Sequence, residues 1–151
     1  MLDNLSNIYS KARDISQTNS EVYTDDRYPD SLLDLINSFS GNDINIITKN
    51  YDTVDWNKIN EHSKNALYRV IQELLVNMKK HSEANLVMLD FESKPKVLEI
   101  RYSDNGKGID PAKFSKKGLQ YAENRIHAVK GTFTFDKKAT KGFRVTVQIP
   151  K

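Results

Sequence analysis

The chain has 151 residues, no cysteine and a formal net charge of +3, from 23 Lys and Arg against 20 Asp and Glu. This length suits one compact domain, and the absence of cysteine excludes disulfide scaffolds, thiolate metal sites and cysteine nucleophiles. Acidic and basic residues are interleaved without a basic patch, so no nucleic-acid partner is expected. The apolar runs are too short to cross a bilayer, which predicts a cytoplasmic protein or the cytoplasmic part of a membrane-anchored one, without direct membrane contact by these residues.

The first 29 residues are predicted to lie outside the catalytic domain. A helix is expected over residues 1–16, and the polar stretch 17–29 is expected to be a linker. The apolar positions of this helix recur at spacings of three and four; they are Leu2, Leu5, Ile8, Ala12 and Ile15. The sequence therefore predicts two parts, 1–29 and a folded domain at 30–151.

The folded domain mixes helices and strands. In chain order we predict a helix at 30–39, a strand at 43–48, a long helix at 57–80, strands at 85–92 and 96–103, a glycine-bearing loop at 104–117, a helix at 118–130 and a final hairpin of strands at 132–136 and 143–149. Because the last strands come in adjacent pairs, we expect an antiparallel or mixed sheet with helices on one face.

Three polar side chains share one side of the long helix. Glu73, Asn77 and Lys80 stand at i, i+4 and i+7, which puts them within about 60° of one another, and His81 follows. An amide oxygen can ligate Mg²⁺, an ammonium can meet phosphate, and a carboxylate can orient or deprotonate an attacking group. The set is typical of a nucleotide site, and a solvated helix edge is the alternative.

Two later segments add to this pattern. The loop that begins at Asp104 follows a strand, where its carboxylate can accept a hydrogen bond from an exocyclic amine, and Gly106 and Gly108 allow close approach of a ligand. Gly118 and Leu119 begin a helix, whose free N–H groups favour phosphate. The alternatives are a plain turn and an ordinary helix cap.

In order, these segments resemble the N, G1 and G2 boxes of the ATP-binding domain of sensor histidine kinases, a fold shared with gyrase, Hsp90 and MutL. Residues 72–82 look like the E-x-x-x-N-x-x-K-H box, and residues 104–108 match D-x-G-x-G. Only nine residues separate Gly108 from Gly118, which is similar to the short lid of the nitrate and membrane-fluidity sensors. The resemblance implies an α+β, two-layer α/β sandwich (the Bergerat fold), with a mixed, mostly antiparallel sheet and helices on one face.

The resemblance also implies ATP and Mg²⁺ as ligands and a role for each matched residue. Asp104 would select adenine, Asn77 would hold Mg²⁺, and Glu73 would act on the attacking histidine. The remaining residues would complete the ATP site, with the cations and the N–H groups around Gly118 facing phosphate; they are Lys80, His81, Gly106, Gly108, Ile109, Lys116, Gly118, Leu119 and Gly142.

The sequence departs from the family pattern at three places. Lys116 stands where the G2 box usually has its first glycine, and Phe143 follows Gly142 where the family often has a threonine, which leaves Thr146 as a candidate for that role. No histidine lies on the N-terminal helix, since the three histidines are at 62, 81 and 127. We therefore expect a fragment of a longer kinase, with His62 and His127 on the surface.

The expected partners are the phosphoacceptor dimerisation helix of the same kinase and a response regulator. Two other functions are compatible with the same boxes: a nucleotide-binding interaction module without transfer activity, and a protein-serine kinase of the anti-sigma-factor type. The helix over residues 1–16 argues against the serine kinase, because it looks like the end of a dimerisation hairpin.

Overall fold

The computed structural model describes residues 22–107, 117–135 and 142–151. The predicted N-terminal helix, most of the expected lid and part of the linker lie outside these residues. The described part contains three α-helices and five strands: α1 (Tyr28–Ser38), β1 (Asn45–Lys49), α2 (Glu61–Asn77), β2 (Leu86–Ser93), β3 (Val97–Asp104), α3 (Lys117–Ala128), β4 (Thr132–Phe135) and β5 (Phe143–Pro150). No helix in this part has the length and apolar character needed to cross a bilayer.

The five strands form one mixed sheet in the order β1-β2-β3-β5-β4. β1 runs parallel to β2, and the other neighbouring pairs are antiparallel. In this register Asp104 lies opposite Val87 on one side and Phe143 on the other. The predicted mixed, mostly antiparallel sheet is confirmed.

All three helices cover the same face of the sheet. Alternate residues of β2, β3 and β5 are buried there, and together with the apolar stripes of the helices they form one core. The opposite face is polar, where Arg101 pairs with Asp90, Glu92 and Glu99. The predicted α+β, two-layer arrangement is confirmed.

The first helix begins at Tyr28, two residues before the predicted start at Asp30. Pro29 fits in the first turn because that position needs no N–H donor. The Tyr28 hydroxyl donates to the Lys64 carbonyl (2.8 Å), and the Lys64 ammonium donates to the Thr24 carbonyl (2.8 Å). These two bonds tie α1 and the segment before it to the first turn of α2.

The long helix predicted at 57–80 is three elements instead of one. A 3₁₀ turn at Trp56–Lys58 comes first, and α2 starts only after Asn60, whose side-chain oxygen caps the Ser63 N–H at 2.8 Å. The last residues, Met78–Ser82, form a π-helical turn. The apolar pattern continues through all three elements, so periodicity alone does not reveal the breaks.

Candidate functional site

The polar residues at the end of α2 lie together, as predicted. Asn77 is the last residue of the helix, and its Nδ2 donates to the Glu73 carbonyl at 2.9 Å. This bond leaves the Asn77 side-chain oxygen as the acceptor available to a ligand. Lys80 follows in the π-helical turn, where its side chain is exposed.

The Glu73 carboxyl group is half-buried, and its electrostatic setting differs from that of a surface glutamate. Burial raises its pKa above the usual value, while the nearby Lys80 charge and the Asn77 side chain act in the opposite direction. A carboxylate that binds a proton more readily than usual is suited to act as a general base. The half-buried position of Glu73 thus differs from the fully solvated helix edge considered as the alternative.

The π-helical turn directs the chain from α2 toward the sheet. His81 lies in this turn, and the buried Ser82 closes it by donating from Oγ to the Met78 carbonyl at 2.9 Å. The next residue, Glu83, has a left-handed backbone with φ of 57°. π-Helical turns of this kind are frequent at functional sites.

Asp104 ends β3 and points to the helix-covered side of the sheet. Asp104 is only 8% exposed, and both of its carboxylate oxygens accept hydrogen bonds. Oδ1 accepts from the Gly106 N–H at 2.9 Å, and Oδ2 accepts from the Tyr102 hydroxyl at 2.8 Å. The bond from the Gly106 N–H is one that a plain turn would also make. A plain turn does not require the carboxylate to be buried, as it is here.

Three segments of the predicted site meet at Gly106: the end of the π-helical turn at Ser82, the loop that follows Asp104, and the segment that begins at Gly142. The Gly142 N–H donates to the Gly106 carbonyl at 2.9 Å, and the Lys107 N–H donates to the Ser82 carbonyl at 2.8 Å. A Cβ at position 106 would overlap the backbone of Ser82, and one at 142 would overlap the Asp104 carbonyl. Gly142 also has φ of +77°, a conformation that favours glycine.

The remaining predicted residues fall into three groups. Helix α3 begins at Lys117, so Gly118 lies in its first turn as expected, and Leu119 is buried against the core. Gly108, Ile109 and Lys116 lie outside the described residues. Thr146 pairs with Arg101 on the opposite face of the sheet from Asp104, so its suggested role beside the base is wrong. His62 and His127 are exposed, as predicted.

Three residues that the sequence reading did not single out help to build this site. Tyr102 holds Asp104, Ser82 holds the Gly106 loop, and the Asn105 side-chain oxygen accepts from the N–H groups of residues 85 and 86, each at 3.0 Å. Tyr102 could have been found from strand alternation, because it stands two residues before Asp104 and so shares its face. The roles of Ser82 and Asn105 depend on contacts between distant segments.

Comparison with known proteins relates this chain to one family of ATPases. Residues 62–151 match the family described as histidine kinase-, DNA gyrase B- and HSP90-like ATPase. The chain is 33% identical over 92 residues to the signal transduction histidine-protein kinase/phosphatase DegS of Brevibacillus brevis, covering 60% of this chain and 24% of DegS. The curated relatives compared are much longer, and the matched part spans between 11% and 24% of their length.

Solved structures agree on the fold. The ATP binding domain of PrrB from Mycobacterium tuberculosis superposes with a TM-score of 0.51 at 25% identity, over 58% of this chain and 68% of that chain. The histidine kinase domain of the Erythrobacter litoralis EL346 blue-light activated kinase has a TM-score of 0.61 at 13% identity, over 82% of this chain and 58% of that chain. Since the family match covers more than half of the sequence, this chain belongs to the histidine kinase-, DNA gyrase B- and HSP90-like ATPases.

Proposed function

We propose that this chain is the ATP-binding catalytic domain of a two-component sensor histidine kinase and that it transfers the γ-phosphoryl group of ATP to a histidine on a dimerisation helix. The observation that carries the proposal is the half-buried Glu73, with its raised pKa, beside Asn77 at the end of α2 and Lys80 in the following turn. The end of that turn contacts the Gly106 loop. We assign residues 30–151 to this domain and residues 1–29 to the end of a dimerisation helix and a linker.

Phosphoryl transfer is mainly a matter of positioning and of neutralising charge. Asp104 accepts a hydrogen bond from the adenine amine, and Lys80, Lys116 and the N–H groups at the start of α3 neutralise the charge of the phosphates. The Asn77 side-chain oxygen suits Mg²⁺, which prefers oxygen ligands and keeps water and phosphate oxygens as its other ligands. When bound, Mg²⁺ would neutralise charge on the phosphates.

Glu73 acts on the histidine that attacks. The attacking ring nitrogen forms a bond to the γ-phosphorus while the bond from that phosphorus to the ADP oxygen breaks. Glu73 accepts the hydrogen bond of the other ring nitrogen and can take its proton. We further propose a cytoplasmic location and a response regulator as the receiver of the phosphoryl group.

The test combines this chain with a purified dimerisation hairpin that contains a phosphoacceptor histidine, labelled ATP and Mg²⁺. Acid-labile label on the hairpin is expected. Acid-stable label on serine would indicate a serine kinase, and nucleotide binding without label would indicate an interaction module. Absence of saturable binding of a fluorescent ATP analogue at millimolar concentration would contradict all three.

A further inference from the structure

Tyr102 places a hydroxyl group directly against the carboxylate of Asp104. The residue is 2% exposed, and its hydroxyl donates to Asp104 Oδ2 at 2.8 Å. Burial, together with the neighbouring carboxylate, raises the pKa of Tyr102 far above the usual value. The hydroxyl is therefore protonated at every physiological pH and acts as a permanent donor to Asp104.

The carboxylate is held from both sides. Oδ1 accepts from the Gly106 N–H at 2.9 Å while Oδ2 accepts from Tyr102, so rotation of the carboxylate plane would weaken both bonds. Hydrogen bonds to a carboxylate are stronger than those between neutral groups. The result is a carboxylate held in one orientation.

The tyrosine ring is fixed as well. It packs edge-on against Phe143, with ring centroids 6.0 Å apart, and Phe143 lies opposite Asp104 in the β3–β5 register. Phe143 brings no hydroxyl to this place, and Thr146 lies on the other face of the sheet. The hydroxyl beside Asp104 is thus supplied from within β3, two residues before Asp104.

We propose that Tyr102 is a positioning residue that sets the preference of this site for 6-aminopurine nucleotides. The inference rests on the proposed role of Asp104 as the reader of the adenine amine. An oriented carboxylate accepts from a 6-amino group and repels a 6-oxo group. Because the Tyr102 hydroxyl donates to Oδ2, it is not free to donate to a 6-oxo group either.

The experiment compares ATP with purine riboside triphosphate, which lacks only the 6-amino group. Affinities of both nucleotides are measured by calorimetry for the wild type, Tyr102→Phe and Tyr28→Phe. Tyr102→Phe keeps the ring and is expected to weaken ATP binding about tenfold, with the affinity for purine riboside triphosphate unchanged within about twofold. Tyr28→Phe removes another buried tyrosine hydroxyl, one that bonds the Lys64 carbonyl, and is expected to change neither affinity.

Three results would overturn the inference, and they are distinguishable. An equal loss for both nucleotides in Tyr102→Phe would mean that the hydroxyl only supports packing. Unchanged ATP preference in that variant would mean that Asp104 needs no help from Tyr102. A wild type that does not distinguish the two nucleotides would instead refute the proposed role of Asp104.

A measurement on the wild type covers the case in which Tyr102→Phe does not fold. With tyrosine labelled at ¹³Cζ, the Tyr102 signal should shift when ATP binds and shift less when purine riboside triphosphate binds. Equal shifts with both nucleotides would contradict the inference.

Discussion

The two ends of the candidate site are built differently. At the end proposed to hold the base, which we call the base end, Asp104 is buried and each of its oxygens has a protein donor, with Gly106 and Tyr102 fixing the carboxylate. At the end proposed to hold the phosphates, which we call the phosphate end, Glu73 and Asn77 are half-buried and Lys80 is exposed on a π-helical turn. The polar side chains of the base end are thus held by protein hydrogen bonds, and those of the phosphate end are more exposed. Changes at the base end should alter ATP affinity, and changes at Glu73 should alter transfer with little effect on affinity.

The largest effect is expected for Gly106→Ala at the base end. The new methyl group would overlap the Ser82 backbone, which is part of the contact between the two ends, so we expect destabilisation by about 1–3 kcal/mol or more and loss of ATP binding. Chemical denaturation and calorimetry measure the two effects. Gly41→Ala is the matched control, because a Cβ at position 41 meets nothing within 4 Å. Equal free energies of unfolding for the two variants would show that the Gly106 loop can move away from Ser82 without loss of stability.

Glu73→Gln tests the phosphate end. Transfer to the dimerisation hairpin should fall by about 10²-fold or more, the usual contribution of a positioned acid–base group, while ATP affinity stays nearly unchanged. Asn77→Ala should instead lower Mg²⁺-dependent affinity and transfer together. Glu61→Gln, an exposed change on the same helix, serves as the control. Equal losses of affinity at 73 and 77 would mean that Glu73 only supports the helix end.

Asp104→Asn tests the base end by itself. Replacing the charged acceptor should weaken ATP binding by about tenfold to a hundredfold, since hydrogen bonds to charged groups contribute about 1.5–3 kcal/mol. The melting temperature without nucleotide should change much less. Asp43→Asn, at an exposed position, controls for loss of charge. A collapse of thermal stability with retained affinity would make Asp104 a structural turn residue.

A pH titration gives a smaller effect with a defined sign. Because burial raises the pKa of Glu73, the transfer rate should fall on acidification at a pH above the ordinary glutamate value of 4.5. A raised native pKa also means that ionisation of Glu73 costs stability as pH rises. The free energy of unfolding of Glu73→Gln relative to wild type should therefore increase from acidic to neutral pH. Parallel curves for the two proteins would contradict the raised pKa.

The smallest effect is expected on the far face of the sheet. Arg101 is partly exposed and pairs with Asp90 at 3.2 Å, with Glu92 at 3.0 Å and with the buried Glu99. Arg101→Gln should change stability by about 1 kcal/mol and leave ATP affinity unchanged, because ion pairs of a partly exposed arginine contribute little and Glu99 keeps Lys94 and Gln148 as donors. A clear loss of affinity in this variant would mean that the polar face of the sheet communicates with the site.

Much of this architecture could be predicted from the sequence because its signals are local. Strand alternation places β2, β3 and β5 to within a residue or two, and the helical spacing of Glu73, Asn77 and Lys80 predicts their common side. The end of α2 was harder to predict. The sequence favours continuation of the helix to Lys80, and the π-helical turn depends on the Ser82 side chain and on the left-handed Glu83.

The contacts that hold Asp104 were predicted least well. An aromatic residue on the buried face of a strand is usually a core residue, and Tyr102 does pack in the core. Its second role, as a donor to Asp104, depends on the position of the hydroxyl group relative to the Asp104 carboxylate, which only the three-dimensional structure gives. The wrong role suggested for Thr146 has the same cause. Its pairing with Arg101 places it on the face of the sheet opposite Asp104, and this register is known only from the structure.

The meeting of Ser82, Gly106 and Gly142 has a consequence for protein engineering. The Lys107 N–H donates to the Ser82 carbonyl and the Gly142 N–H donates to the Gly106 carbonyl, and a Cβ at position 106 would overlap the Ser82 backbone, so the three segments must fit together. A chimera that takes one of these loops from a related kinase inherits a backbone path shaped for other neighbours. Successful grafts should therefore exchange all three segments together, even though 24 and 36 positions separate them along the chain.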